Sequence, residues 1–148
     1  MDLIKEVTYL KTEVCKLKKE ETAEDALELV TAVAVDVTGS VTAAELLGKL
    51  ITSTSAAAVA VTLPTATLLG QALAAKLGIE TTALQGHSME FVVDNSAGAN
   101  TVTVTVNTGI TVNTPAITGG ATLTVSTANA VGIFRIVFTS ATTAKILG

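Results

Sequence analysis

The sequence predicts a mainly β protein: an antiparallel β-sandwich or jelly-roll-like body with one or two short helices, preceded by an N-terminal amphipathic helix. The first observation is charge, since residues 1–28 hold five of the nine Lys/Arg and eight of the thirteen Asp/Glu, and Asn95 to Phe134 hold none. The second is a series of short alternating segments at roughly eight-to-twelve-residue spacing, separated by turn residues. We therefore expect a helical arm over residues 1–30 and a β-sandwich domain over residues 31–148.

The arm carries a heptad pattern of apolar residues. Their spacing alternates between four and three, which places Val at the a positions and Leu at the d positions of a coiled coil. The residues of this arm seam are Leu3, Val7, Leu10, Val14 and Leu17. The seam is about two and a half heptads long, and a sustained coiled-coil signal needs about three to four. An amphipathic helix folded back on the body therefore stays open as an alternative.

Charged residues flank the seam in a complementary arrangement. Glu6 and Glu13 fall at g positions, and Lys11 and Lys18 fall at e positions. In a parallel coiled coil, inter-chain ion pairs would join Glu6 to Lys11 and Glu13 to Lys18. Each exposed pair contributes about 0.2–1 kcal/mol, so these pairs select orientation more than they drive association. A second helical stretch is expected after Thr22, a candidate N-cap.

The body begins where the apolar period changes, near Ala32. The stretch AVAVDV predicts a strand, Gly39 and Ser40 predict a turn, and VTAAELLGKL predicts a short helix. One or two strands are expected in LITSTSAAAVAVTL, which Pro64 ends. The stretch TATLLGQALAAKLG then predicts a helix that ends at Gly78.

Six strand candidates follow in the second half of the chain. Turn-forming stretches such as NSAGAN, NTG and TPAITGG separate them. The candidates are His87–Asp94, Thr101–Val106, Ile110–Val112, Ala121–Ser126, Gly132–Thr139 and Thr143–Leu147.

Alternation along these strands predicts which side chains form the core. The apolar sets are Met89, Phe91, Val93, Val102, Val104, Val106, Phe134, Ile136 and Phe138. The opposite faces of the Thr/Val strands carry only hydroxyl side chains, at Thr101, Thr103, Thr105, Thr122, Thr124 and Ser126. Charged residues normally protect exposed sheets from pairing with other chains. We therefore expect further copies of this chain, or a larger assembly, to cover the uncharged sheet.

The titratable residues form no catalytic or metal-binding pattern. His87 is the single histidine and precedes Ser88, but adjacent side chains of a strand point to opposite faces, and we expect His87 to pack beside the core. Glu90 and Asp94 lie about 13 Å apart along one strand face, which is too far to share a metal ion. The glycines lack the Lys and the helix of a phosphate loop. We therefore expect no enzymatic activity, no cofactor and no metal.

Composition also limits the partners. Net charge is −4, and the chain lacks the basic patch that nucleic acid requires. No apolar run reaches the roughly 18 residues of a transmembrane helix, so we expect no membrane partner. A single cysteine, Cys15, excludes an internal disulfide and indicates assembly in a reducing compartment.

From about Thr38 onward, over about 110 residues, the chain resembles small virion proteins of tailed bacteriophages and related viruses. The shared features are a Leu-Pro-Thr step into a helix, a Gly-x-Ser-x-x-Phe strand, an Asn-rich turn, a Thr/Val strand and a final aromatic strand that ends in Thr. They correspond here to Leu63-Pro64-Thr65, Gly86 to Phe91, Asn95 to Asn100, Thr101 to Val106, and Phe134 to Thr139.

This resemblance implies a β-sandwich that decorates or cements a capsid, or forms a head fibre, commonly as a trimer. We therefore expect a non-enzymatic structural virion protein, a homotrimeric capsid decoration or cement protein that stabilises the assembled capsid. The alternative is a receptor- or glycan-binding head or tail fibre module. The trimer follows from the resemblance alone, because Val at a with Leu at d favours two strands.

The expected partners follow from the same resemblance. They are further copies of the chain and the major capsid protein or other virion proteins. The expected location is the capsid surface of the virion, after assembly in the host cytoplasm.

Overall fold

A computed structural model describes residues 3–12, 30–112, 122–125 and 130–148. The predicted arm residues Glu13, Val14, Leu17 and Lys18, and the helical stretch after Thr22, lie outside the described residues.

The described residues form a mostly β protein with few helices. Helix α1 covers residues 3–12, and the body contains helices α2 (Ala43–Leu46) and α3 (Ala66–Leu77) and a 3-10 turn at Thr81–Ala83. The strands are β1 (Thr31–Ala34), β2 (Gly39–Ser40), β3 (Lys49–Thr52), β4 (Val59–Thr62), β5 (Ser88–Asn95), β6 (Val102–Thr105), β7 (Ile110–Val112), β8 (Thr122–Val125), β9 (Ala130–Phe138) and β10 (Ala144–Leu147).

The strands belong to two sheets, and the chain alternates between them. The first sheet has the order β1-β3-β5-β9-β10-β7, and the second sheet has the order β2-β4-β6-β8. From β1 to β9, each strand therefore lies in the other sheet from the strand before it.

This alternation makes both sheets mixed, which corrects the prediction of an antiparallel body. Parallel pairing joins β1 to β3, β3 to β5, β2 to β4, β4 to β6 and β7 to β10. Antiparallel pairing joins β5 to β9, β9 to β10 and β6 to β8. A parallel pair needs a long crossover, and here the crossover passes through the opposite sheet or a helix. Side chains alternate in the same way in either type of pairing, so the sequence pattern did not separate them.

Gly39 and Ser40 form strand β2, so the prediction of a turn there is wrong. They pair in parallel with Val61 and Thr62 of β4, and the Val41 amide donates to the Thr62 carbonyl at 3.0 Å. A ladder requires only backbone donors and acceptors, so a Gly-Ser pair suffices for a short edge strand.

Helix α3 begins and ends as the sequence predicts, whereas α2 is shorter than the predicted VTAAELLGKL helix because Lys49 and Leu50 belong to β3. The Thr42 hydroxyl accepts from the Glu45 amide, and the Glu45 carboxylate accepts from the Thr42 amide, which is a capping box at the start of α2. The Thr65 side chain caps α3 by accepting from the Leu68 amide, and Gly78 ends it with φ of 68°. That left-handed conformation favours glycine.

One hydrophobic core receives side chains from both sheets and from α3. The predicted apolar sets of β5, β6 and β9 are buried in it, except for the partly buried Val106, which packs against it. Phe91 and Phe134 stack with ring centroids 5.3 Å apart. Each such buried side chain contributes about 1.5–3 kcal/mol, so this core is the main source of stability in the body.

Candidate interaction surfaces

The outward side of the second sheet is uncharged, and we call it the threonine face. Strand register places Ala60, Thr103 and Thr124 in one row across β4, β6 and β8. A second row contains Ser40, Thr62 and Thr105. The face therefore crosses all four strands of the sheet without one ionisable side chain.

The threonines face outward because the valines between them are buried. Val102 and Val104 are at most 1% exposed, whereas Thr103 and Thr105 are half-buried and Thr124 is exposed. This confirms the predicted assignment for the described residues of β6 and β8. Threonine suits a strand because its branched Cβ restricts χ1, and its hydroxyl can bond to a partner without the desolvation cost of a charge.

The edge strands of the second sheet are uncharged as well. Its edge strands are β2 and β8, and neither contains a Lys, Arg, Asp, Glu or Pro. Natural sheets commonly place charge or Pro at such edges to prevent pairing with another chain. This sheet is therefore suited to a covered position in an assembly.

A second surface, on the outward side of the first sheet, is apolar, and sequence reasoning missed it. Strand register aligns four side chains across β1, β3, β5 and β9, and we call them the apolar row: Ala32, Leu50, Val92 and Ile133. Ile133 is 64% exposed, and its neighbour Val131 is exposed too. A contiguous exposed apolar patch commonly marks an interaction site. Its sequence signal was present, since β5 and β9 carry apolar residues at outward positions where alternation calls for polar ones.

Leu50, Val92 and Ile133 of the apolar row line a shallow cavity of about 310 Å³, whose other lining residues include Val30 and Lys49. Burial lowers the pKa of Lys49, and the nearby charge of Lys76 lowers it further.

Charged groups flank the row on both sides. On one side, Arg135 donates to the Glu90 carboxylate across the β5–β9 pair, and both side chains are more than half exposed. On the other side, Asp94 accepts from the Ser96 amide at 2.9 Å. Hydrogen bonds from Ser96 hold the pKa of Asp94 below its ordinary value. The row is therefore an apolar strip bordered by an ion pair and a carboxylate.

Helix α1 presents the described part of the arm seam. Leu3, Val7 and Leu10 are 74%, 48% and 60% exposed, and Glu6 and Lys11 are exposed beside them. The helical part of the prediction is confirmed for residues 3–12. The inter-chain ion pairs and the coiled coil stay predictions.

His87 is exposed, so the expectation that it packs beside the core is wrong. Its amide donates to the Leu84 carbonyl and its carbonyl accepts from the Phe138 amide, each at 2.9 Å. Backbone pairing, not side-chain packing, therefore holds this residue at the start of β5. Ser88 and Glu90 are exposed on the outward face and Met89 is buried, as alternation predicts.

A second concave region lies between α2, α3 and the end of β4. It is an apolar groove of about 580 Å³ lined by Val41, Leu63, Pro64, Leu68 and Asn107, among others. The Asn107 side chain donates to the Leu63 carbonyl at 3.1 Å, which fixes one wall of the groove.

Within the described ranges, no three His, Cys, Asp or Glu side chains are grouped as metal ligands. None of the helices in the described part of the chain has the length and apolarity to cross a membrane.

Comparison with known proteins returned no matching family model, no matching curated protein and no matching solved structure.

Proposed function

We propose that this chain is a non-enzymatic structural virion protein, a homotrimeric capsid decoration or cement protein that binds and stabilises the assembled capsid. The observation that carries the proposal is the threonine face, an uncharged surface that spans a whole sheet and both its edges. The resemblance of residues from Thr38 onward to small phage virion proteins supports the same reading.

The proposal includes a sandwich arrangement of the two sheets, jelly-roll-like in that successive strands change sheet. A single core that receives side chains from both sheets supports this arrangement. The mixed pairing distinguishes it from a jelly roll built of antiparallel strands alone. The arm belongs to the proposal as an amphipathic helix that associates with other chains.

The mechanism is stabilisation by mass action. A protein that binds the assembled lattice but not its free subunits shifts the equilibrium towards the lattice by RT ln(1 + [L]/Kd). Hydroxyl-lined surfaces suit this role because they can be covered by neighbouring subunits without burying a charge, which costs several kcal/mol per unpaired ion.

A charge placed on the threonine face tests the self-association. We expect Thr103→Lys to shift the protein to smaller species in light scattering at micromolar concentration, because its ammonium group would have to be desolvated at the interface. The matched control is Ser88→Lys, which adds the same charge to an exposed position on the first sheet, away from the apolar row. Equal oligomer size for Thr103→Lys and the parent chain would contradict the proposed interface.

Purified particles of the virus that encodes the chain test the virion role. We expect mass spectrometry to find the chain in a fixed ratio to the major capsid protein. Particles lacking it should release their genome at a lower temperature. Particles that contain no copies of the chain would overturn the proposal. Specific binding to a glycan array, together with particles of unchanged heat resistance, would favour a fibre module instead.

A further inference from the structure

Two apolar surfaces of this chain are exposed in the described structure: the apolar row on the first sheet and the seam of α1. Each is too apolar to be a typical solvated surface. The seam side chains Leu3, Val7 and Leu10 lie on one side of a ten-residue helix. The row crosses four strands and is bordered by charges.

We propose that the apolar row of one copy is the docking site for helix α1 of a second copy. The inference rests on the self-association in the proposed function, and it names one pair of surfaces through which that association occurs.

The dimensions of the two surfaces agree. Four adjacent strands are separated by three spacings, so the row is about 14 Å long. A helix rises about 1.5 Å per residue, which makes α1 about 15 Å long and places Leu3 and Leu10 about 11 Å apart. Helix α1 laid along the row would therefore cover it from β1 to β9.

The flanking charges also agree. Glu6 and Lys11 lie on opposite sides of the seam, at g and e. Arg135 and Asp94 lie on opposite sides of the row. One orientation of α1 places Glu6 on the side of Arg135 and Lys11 on the side of Asp94. In the reverse orientation Glu6 lies on the side of Asp94, so the Asp94 carboxylate favours the first orientation, whereas Arg135 contributes little to the choice because Glu90 is paired with it.

The position of Val30 brings the arm to this surface. Val30 is 57% exposed and lines the cavity of the row, so the chain joins the body beside it. Residues 13–29 connect Val30 to α1. Every residue of α1 is exposed in the single chain, so its own body does not cover the seam. Each copy has one seam and one row. In a closed symmetric assembly, every seam can therefore dock on the row of a neighbouring copy, and both surfaces are covered in all copies.

Disulfide trapping tests the docking. Two proteins are made in a Cys15→Ser background, one with Val7→Cys in the seam and one with Ile133→Cys in the row. They are mixed in urea, refolded together and oxidised. We expect a disulfide between the two proteins on a non-reducing gel. Lys5→Cys, on the side of α1 opposite the seam, is the matched control and should give severalfold less.

Each other outcome overturns the inference. Disulfides between two Val7→Cys chains, with Ile133→Cys left reduced, would show that the arms bundle with each other. An intramolecular disulfide in a Val7→Cys/Ile133→Cys double variant, with none between the mixed proteins, would show docking within one chain. An oligomer that forms neither would exclude the docking and leave the proposed self-association standing, whereas a monomer in light scattering would remove both.

Discussion

At the scale of single residues, close contacts determine the turns of this protein. Asn95 is fully buried, and its side-chain amide donates to the Asn100 carbonyl at 2.6 Å. A Cβ atom at Gly98 would lie 2.0 Å from the Asn95 side-chain oxygen. The NSAGAN turn therefore depends on a glycine at one position and an amide at another. The sequence showed that a turn was there, but not which of its residues it needs.

Gly109 illustrates the same dependence and gives a first prediction. Its φ is 83°, and a Cβ there would lie 2.4 Å from the Thr142 carbonyl oxygen. Gly78 has φ of 68° with nothing within 4 Å of such a Cβ. We expect Gly78→Ala to cost about 1 kcal/mol for its conformation alone. Gly109→Ala should cost at least about 1–3 kcal/mol more because its neighbours must move.

Urea denaturation of both variants measures this difference, since the midpoint reports stability when the slope is unchanged. Equal midpoints for Gly78→Ala and Gly109→Ala would show that the approach of Thr142 to Gly109 is not close.

The capping box of α2 gives a pH-dependent prediction. Hydrogen bonds from the Thr42 amide and hydroxyl hold the pKa of Glu45 below its ordinary value. A lowered pKa contributes stability that is present above the ordinary value and is lost as the pH falls through the folded value. We expect the parent chain to exceed Glu45→Gln in stability near pH 7 by more than it does near pH 3. Urea midpoints at the two pH values measure this, and an advantage that grows on acidification would contradict it.

At the scale of elements, alternation predicted the strands well and their partners not at all. The observed bounds of β5 to β10 lie within about two residues of the predicted ones, because burial on one face imposes a period of two. Strand pairing depends on which segments meet in space. Side chains alternate with a period of two in parallel and antiparallel strands alike. The sequence pattern therefore did not reveal which strands pair in parallel.

Strand β6 gives a prediction for its two faces. Val104 is fully buried, whereas the adjacent Thr103 lies on the threonine face. Val104→Thr places a hydroxyl in the core, which we expect to cost about 1–3 kcal/mol. Thr103→Val makes the reverse exchange outside the core and should change stability by less than about 0.5 kcal/mol.

Thermal unfolding of this pair, compared in one buffer, tests the inward and outward assignment. If Thr103→Val were the more damaging of the two, the faces of β6 would have to be exchanged.

At the scale of the whole molecule, the core and the association surfaces occupy different parts of the chain. Among the described residues, the buried hydrophobic core lies between Val41 and Ile146, whereas α1 is exposed throughout. The free energy of unfolding of the body should therefore be independent of the arm. Association between copies should depend on both the threonine face and the arm.

Removal of residues 1–28 tests this separation. We expect the body to keep its urea midpoint, because none of the described core residues lies in the removed segment. Association should persist through the threonine face but require a higher protein concentration, because the apolar row then lacks its helix. Light scattering over a dilution series measures the second effect. A truncated chain that is monomeric at every concentration would assign all the association to the arm.

Local patterns in the sequence were enough to predict a mostly β body with one or two helices, the buried faces of β5, β6 and β9, and an uncharged outer face on the Thr/Val strands. These properties depend on neighbours along the chain, through side-chain alternation and capping residues. Tertiary structure alone decided the mixed pairing, the role of Gly39 and Ser40 as a strand, and the alignment of Ala32, Leu50, Val92 and Ile133 in one row. Those depend on register between strands that are distant in sequence, which no local period encodes.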